Sequence, residues 1–192
     1  VECSNSLYNK LVKENKYVRP LKGKKKESIF VASSLAKRIT LIKAMNERAI
    51  KKSFTFHNSV ANAKTFTSAK ETQGLKNIYK LYDIESKTPE LFHVNGKMKM
   101  SDRKEEMKEF RNAKTAIMSN ARCLSEGVNI PAVDSIIFIT PKKSQVDIIQ
   151  ATGRALRKDP ENKNKIAYII IPIFVDDNQD VDQLSVHGNI VP

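Results

Sequence analysis

Apolar positions along the chain change period several times, and each change predicts an element. Leu35, Ile39, Ile42 and Met45 recur at close to 3.6 residues, which predicts a helix within Ile29 to Ile50. Ser53-Phe54-Thr55-Phe56 alternates and is rich in β-formers, so it predicts the first strand. Asn58 or Ser59 then caps a helix through Ala61, Ala63, Phe66 and Ala69. Leu75 to Tyr82 continues that helix or forms a second one. Leu91 to Val94 is a strand ending at Asn95-Gly96, and Ser101 is placed to cap a charged helix over Asp102 to Asn112, with Met107 and Phe110 inward. Strands follow at Thr115 to Met118 and Ser135 to Thr140, then a helix around Gln150, then a strand at Ile166 to Ile173. Strands alternating with helices imply an α/β fold with a mainly parallel sheet covered on both faces.

The remaining segments read differently. Residues 1–27 are polar and basic and read as a linker or short helix from a preceding region; residues 28–173 hold the domain; residues 174–192 read as an acidic connector. The full 192 residues suffice for one α/β domain with a real core. Apolar residues at 40% and charged residues at 29% are typical of globular proteins. No apolar run reaches the roughly 18 residues that span a bilayer, so a cytoplasmic protein without membrane partners is expected. Cys3 and Cys123 make neither a disulfide framework nor a metal site and read as reduced thiols. The chain opens Val1-Glu2-Cys3 without Met, which suggests a piece of a longer protein.

Charge sharpens the picture. Residues 1–52 carry 14 Lys and Arg against 4 Asp and Glu, a net of +10 within an overall +13. Lys22-Gly23-Lys24-Lys25-Lys26 is the densest point. Such a run is either a solvated linker or an attraction for nucleic-acid phosphates. From Phe174 onward there are four Asp and no Lys or Arg.

The strongest chemical signal is Gln150-Ala-Thr-Gly153-Arg154-Ala-Leu-Arg157. Gln150, Arg154 and Arg157 stand at i, i+4 and i+7, one face of a helix, with Ser144 and Asp147 suited to open it. Val146, Ile149 and Gly153 fall on other faces and can pack. Two guanidinium groups on a rigid element suit a polyphosphate, whose oxygens accept bidentate hydrogen bonds. Spacing alone equally fits a surface helix with two solvated arginines. Upstream stands Leu124-Ser125-Glu126-Gly127-Val128-Asn129-Ile130-Pro131, followed by the apolar strand.

This order resembles motifs V and VI of the superfamily 2 helicases and translocases. Asn120 to Pro131 looks like the DEAD/DEAH-type helicase subunits of restriction systems. The resemblance covers roughly residues 53–173. It implies a three-layer α/β/α RecA-like (P-loop NTPase-like) domain, the second of two such domains in a motor. It also implies that Phe54 to Ser59 is motif IV, a strand and phosphate-contacting turn, and that His93-Val94-Asn95-Gly96 with Arg103 is the next nucleic-acid motif. On this basis His57, Asn58, Ser59, Asn95, Gly96, Ser119, Asn120 and Arg122 are expected to bind nucleic acid. Each residue also has a plainer reading. His57 and His93 suit structural histidines, Arg103 suits ion pairs with Glu106 and Glu109, and Cys123 and Leu124 suit buried packing.

The parts missing from the sequence decide the mechanism. No Gly-Lys-Ser/Thr loop is present: Gly23-Lys24 is followed by Lys25, and Gly96-Lys97 by Met98. No acidic pair for Mg²⁺ follows an apolar strand. The resemblance puts these elements in a preceding RecA-like domain, so the chain alone should not hydrolyse ATP. ATP and Mg²⁺ would then be bound jointly between two domains. Arg154 and Arg157 would reach the γ-phosphate, with Arg157 the candidate arginine finger. Gln150 would sit near the phosphate or the attacking water. Gly127 would allow a tight turn and Asn129 would bond the nucleotide sugar. The family more often has Asp there; Asn loses its charge. Double-stranded DNA is the expected track, with RNA open, and a restriction-modification enzyme is the expected setting. Two other classes stay in view: a nucleic-acid-binding module without ATP chemistry, and a basic α/β scaffold with no nucleotide role.

Overall fold

A computed structural model describes residues 18–19, 30–71, 74–81, 88–121, 133–140, 148–149, 152–153 and 166–172. Among the described residues the main sheet has five parallel strands: β3 (Lys52–His57), β4 (Glu90–Asn95), β5 (Ala116–Ala121), β6 (Ser135–Phe138) and β7 (Tyr168–Ile170), in the order β4-β5-β3-β6-β7. The helices with full bounds among these residues are α1 (Ala32–Glu47), α2 (Val60–Thr67), α3 (Leu75–Leu81) and α4 (Met100–Asn112). The α/β class and the parallel sheet are those expected from the alternating periods.

The central strands are buried on both sides, which is why β5 and β6 read as near-continuous buried runs. Alternation sorts their side chains onto two faces. Phe54, Phe56, Phe92, Val94, Met118, Ile136 and Phe138 point to one face, where Met107 and Phe110 of α4 meet them. The Phe110 ring stands edge-on to Phe54 at 5.5 Å and to Phe92 at 5.9 Å between centroids. Ile117 and Ile137 point to the other face, packed with Leu35, Ile39, Ile42 and Met45 of α1, Phe66 of α2, and Leu75 and Ile78 of α3. The core is therefore two apolar layers with the sheet between.

Local details follow from backbone chemistry. Helix α1 closes with Ile50 N–H donating to Met45 C=O at 2.9 Å and Ala49 N–H donating to Asn46 C=O at 3.4 Å. This double closure requires a left-handed residue, and Ala49 takes it at φ 51°. Asp134 ties the amino-terminal ends of the strands together. Its carboxylate accepts from Lys51 and Lys52 N–H at 3.0 and 2.8 Å, and its C=O accepts from Tyr168 N–H at 2.8 Å.

Several expectations change. Ser101 does not cap α4: Lys99 holds that position without a side-chain cap bond, and the Ser101 hydroxyl donates to Asp102 at 2.8 Å. Entry is set by the preceding turn, where Met98 N–H reaches Asn95 C=O at 3.2 Å. The helix expected from Ile29 starts at Ala32, because Phe30–Val31 (β2) pairs in parallel with Val18–Arg19 (β1). So Val18–Arg19 is a short strand where a linker or helix was expected. Helix α2 stops at Thr67, short of Ala69. Residues 148–149 and 152–153 are helical, but Ile148 rather than Ile149 packs on the core; Ile149 is 69% exposed. Gly153 is also exposed, and a Cβ there would meet nothing within 4 Å, so close packing does not demand a glycine.

Candidate nucleic-acid interface

In a parallel sheet all carboxyl ends lie along one rim, where loops collect ligands. Register aligns His57, Ala121 and Asn95 at that rim. Two of the chain's motif turns therefore start on either side of the end of β5: Asn58-Ser59 after β3 and Gly96-Lys97 after β4.

The first turn is a helix start. Ser59 is the N-cap of α2 with extended backbone, and its hydroxyl accepts from Asn62 N–H at 3.1 Å. Asn58 is exposed, and its side-chain oxygen accepts from the Asn62 amide at 3.3 Å. Ser59 is half-buried. The second turn exposes Gly96 and Lys97. Gly96 N–H donates to Ala121 C=O at 3.2 Å, which joins this turn to the end of β5.

Four residues expected at the interface sit inside it: His57, Asn95, Ser119 and Asn120 are all buried. His57 is held by a 2.9 Å hydrogen bond between its Nε2 and the Thr55 hydroxyl, and its ring meets Phe66 edge-on at 4.8 Å. Burial, with the nearby Arg38 and Lys37 cations and the His93 ring, holds its pKa down to about 3, so it is neutral. Ser119 lies within 2.9 Å of both the Thr67 hydroxyl and His93 Nδ1. Asn120 is on the opposite face, and its Oδ1 is buried without a hydrogen-bond partner among the described residues. Arg122, Gly127, Asn129, Gln150, Arg154 and Arg157 lie outside the described residues.

Sequence reasoning passed over the polar layer beneath the rim. Thr55 belongs to it beside His57, Thr67 beside Ser119, and His93 joins Ser119 to Asn95. Arg38 is buried with its guanidinium 4.8 Å from the Phe66 ring centroid and donates to Ser34 C=O at 2.8 Å. The available signal was the polar alternation Ser53, Thr55, His57 in a strand that must be buried on both faces. Among the described residues no group of His, Cys, Asp or Glu could hold a metal ion, and no helix is long and apolar enough to cross a membrane.

The parallel sheet and its flanking helical layers are those of a RecA-like domain. Residues 36–159 match the family described as the helicase conserved C-terminal domain. The chain belongs to that family, whose structural neighbours are C-terminal domains of superfamily 2 and DEAD-box helicases. Over 81 residues, 42% of the chain, it is 31% identical to a protein of Sulfolobus islandicus filamentous virus named "Putative helicase 22". A solved structure of the ATP-dependent Type ISP restriction-modification enzyme LlaBIII bound to DNA is similar over 79% of the chain, at 26% identity and a TM-score of 0.57. Domain 2 of the DEAD-box helicase Mss116p, bound to an RNA duplex, shares the fold over 72% of the chain at 18% identity and a TM-score of 0.51. The matches span 14%, 10% and 49% of those three chains.

Proposed function

We propose that the chain is the second motor domain of an ATP-dependent nucleic-acid helicase or translocase. The observation that carries this is the convergence of motif turns at one sheet rim. Asn58-Ser59 offers helix-start backbone N–H groups and small side chains there, and Gly96-Lys97 offers a small residue and a cation. Backbone N–H groups at a capped helix start bind phosphate oxygens without reading bases. In this reading Asn58, Ser59 and Gly96 touch the strand, while His57, Asn95, Ser119 and Asn120 act from beneath, by shaping the turns. Arg122 is proposed as a further phosphate contact.

The nucleotide half of the proposal rests on the sequence. Gln150, Arg154 and Arg157 line the γ-phosphate side of a cleft whose other wall is a preceding RecA-like domain. Gly127 and Asn129 meet the nucleotide from the same side. Mg²⁺, held by that other domain, would neutralise phosphate charge. ATP bridging pulls the domains together, hydrolysis releases them, and alternating grip on phosphates moves the protein along its track. Double-stranded DNA is the proposed track and a restriction-modification enzyme the proposed setting. The support is the similarity to LlaBIII, whose structure contains DNA.

The test uses the full-length protein. ATP turnover should rise with added duplex DNA, and Arg157→Ala should lower it by about 10³–10⁵. Unchanged turnover in Arg154→Ala and Arg157→Ala would favour a scaffold. DNA binding without any turnover would favour the non-catalytic module. Stimulation by RNA but not DNA would reassign the track.

A further inference from the structure

A line of hydrogen bonds runs beneath the rim from α2 to the Gly96 turn, and its polarity is forced. Lys97 N–H lies 2.9 Å from Asn95 Oδ1. A backbone N–H can only donate, so the atom facing it is the amide oxygen and the amide nitrogen faces the other way. That nitrogen lies 2.9 Å from His93 Nε2. An amide nitrogen also only donates, so Nε2 must be the bare ring nitrogen. The ring proton is therefore on Nδ1, which lies 2.9 Å from the Ser119 hydroxyl and donates to it. Ser119, fully buried, is 2.9 Å from Thr67, whose hydroxyl lies 3.4 Å from Ala63 C=O within α2. The Ser119 hydroxyl also lies 3.4 Å from Phe92 C=O, so the Ser119–Thr67 bond can run either way, but only the Nδ1–H neutral imidazole satisfies the Asn95 amide and Ser119 together. Burial and the Lys64 charge hold His93 down at a pKa of about 4, which keeps that form at neutral pH.

We infer that His93 is a positioning residue for nucleic-acid binding: through Asn95 it holds the Gly96-Lys97 turn in its phosphate-contacting shape, anchored by Ser119 and Thr67 to α2. This rests on the proposed role of that turn as a phosphate contact. The two turns at the rim, one on α2 and one after β4, are thereby tied together below the surface. His93 itself touches no ligand. Its acceptor nitrogen orients the amide whose oxygen orients the backbone.

The test measures binding of a fluorescein-labelled DNA duplex, and of a labelled RNA, to the full-length protein by anisotropy, together with hydrogen exchange at the Lys97 amide. His93→Phe fills the space but supplies no acceptor. It should weaken binding about tenfold and expose the Lys97 amide to exchange. His93→Gln, which restores an acceptor near Nε2, should recover most of both. Ser119→Ala, a smaller change that guards against misfolding, should act in the same direction as His93→Phe. Adding His93→Phe to Asn95→Ala should cost no more than Asn95→Ala alone, because both act through one path. If Asn95→Ala weakens binding while His93→Phe binds normally or keeps Lys97 protected, the relay is overturned and the turn remains an interface. If His93→Phe exposes Lys97 but neither variant changes binding, the relay exists yet the turn is not a contact, and the inferred role falls with that assignment.

Discussion

Mild acid should weaken this fold through His57, and the size follows from its surroundings. The side chain is 5% exposed and its Nε2 is engaged by Thr55. The charges that act on it at neutral pH, Arg38 and Lys37, are cationic, and His93 joins them only where it is itself protonated, near pH 4. An imidazolium there would be desolvated and repelled. The folded pKa of about 3 compares with 6.5 for an exposed histidine. The unfolded chain therefore binds more protons between those values, so stability is full above pH 6.5 and falls as pH drops towards 3. From pH 7 to pH 5 the unfolded state gains most of a proton and the folded state almost none, a loss of about 2 kcal/mol from this one residue. Urea unfolding at the two pH values measures it. His57→Phe cannot titrate and keeps a ring edge against Phe66, so its pH dependence should be smaller than wild type by that amount. Equal pH dependence in the two proteins, or a His57 ring titrating near 6.5, would refute the reasoning.

Other outcomes follow from packing and backbone geometry. Phe110→Ala removes a fully buried ring between Phe54 and Phe92 and should cost about 3–5 kcal/mol by urea unfolding. Ala49→Gly should stabilise the chain by about 1 kcal/mol, because Ala holds a left-handed φ of 51° that glycine adopts freely; an unchanged melting midpoint would count against that strain. Gly74→Ala should destabilise it markedly, since the new Cβ would stand 1.9 Å from the Ser68 carbonyl oxygen and backbone would have to move. Circular dichroism melting would show it.

Burial period alone made much of this molecule legible. Leu35, Ile39, Ile42 and Met45 face the core as their spacing required, and Met107 and Phe110 do so on α4. Ser59 caps α2 as its residue type favours. These are local consequences of the 3.6-residue turn and of a hydroxyl competing for free N–H groups. The parallel sheet followed from the alternation of elements, and the family followed from residues 120–157, whose motif order is itself a sequence property.

What the chain could not show locally was the direction of its polar groups. Asn95 reads as a surface residue beside a glycine, yet its amide turns inward, because His93 and Lys97 N–H hold both its ends. Ser119 reads as a rim contact, yet strands β3 and β4 on either side and α2 above enclose it. Ser101 had the residue type of a cap, but the turn from Asn95 to Met98 had already decided where α4 begins. Strand membership and helix caps arise from neighbours a few residues away. Whether a polar side chain faces water or another buried group depends on what distant segments bring to it, and only the assembled sheet supplies those partners.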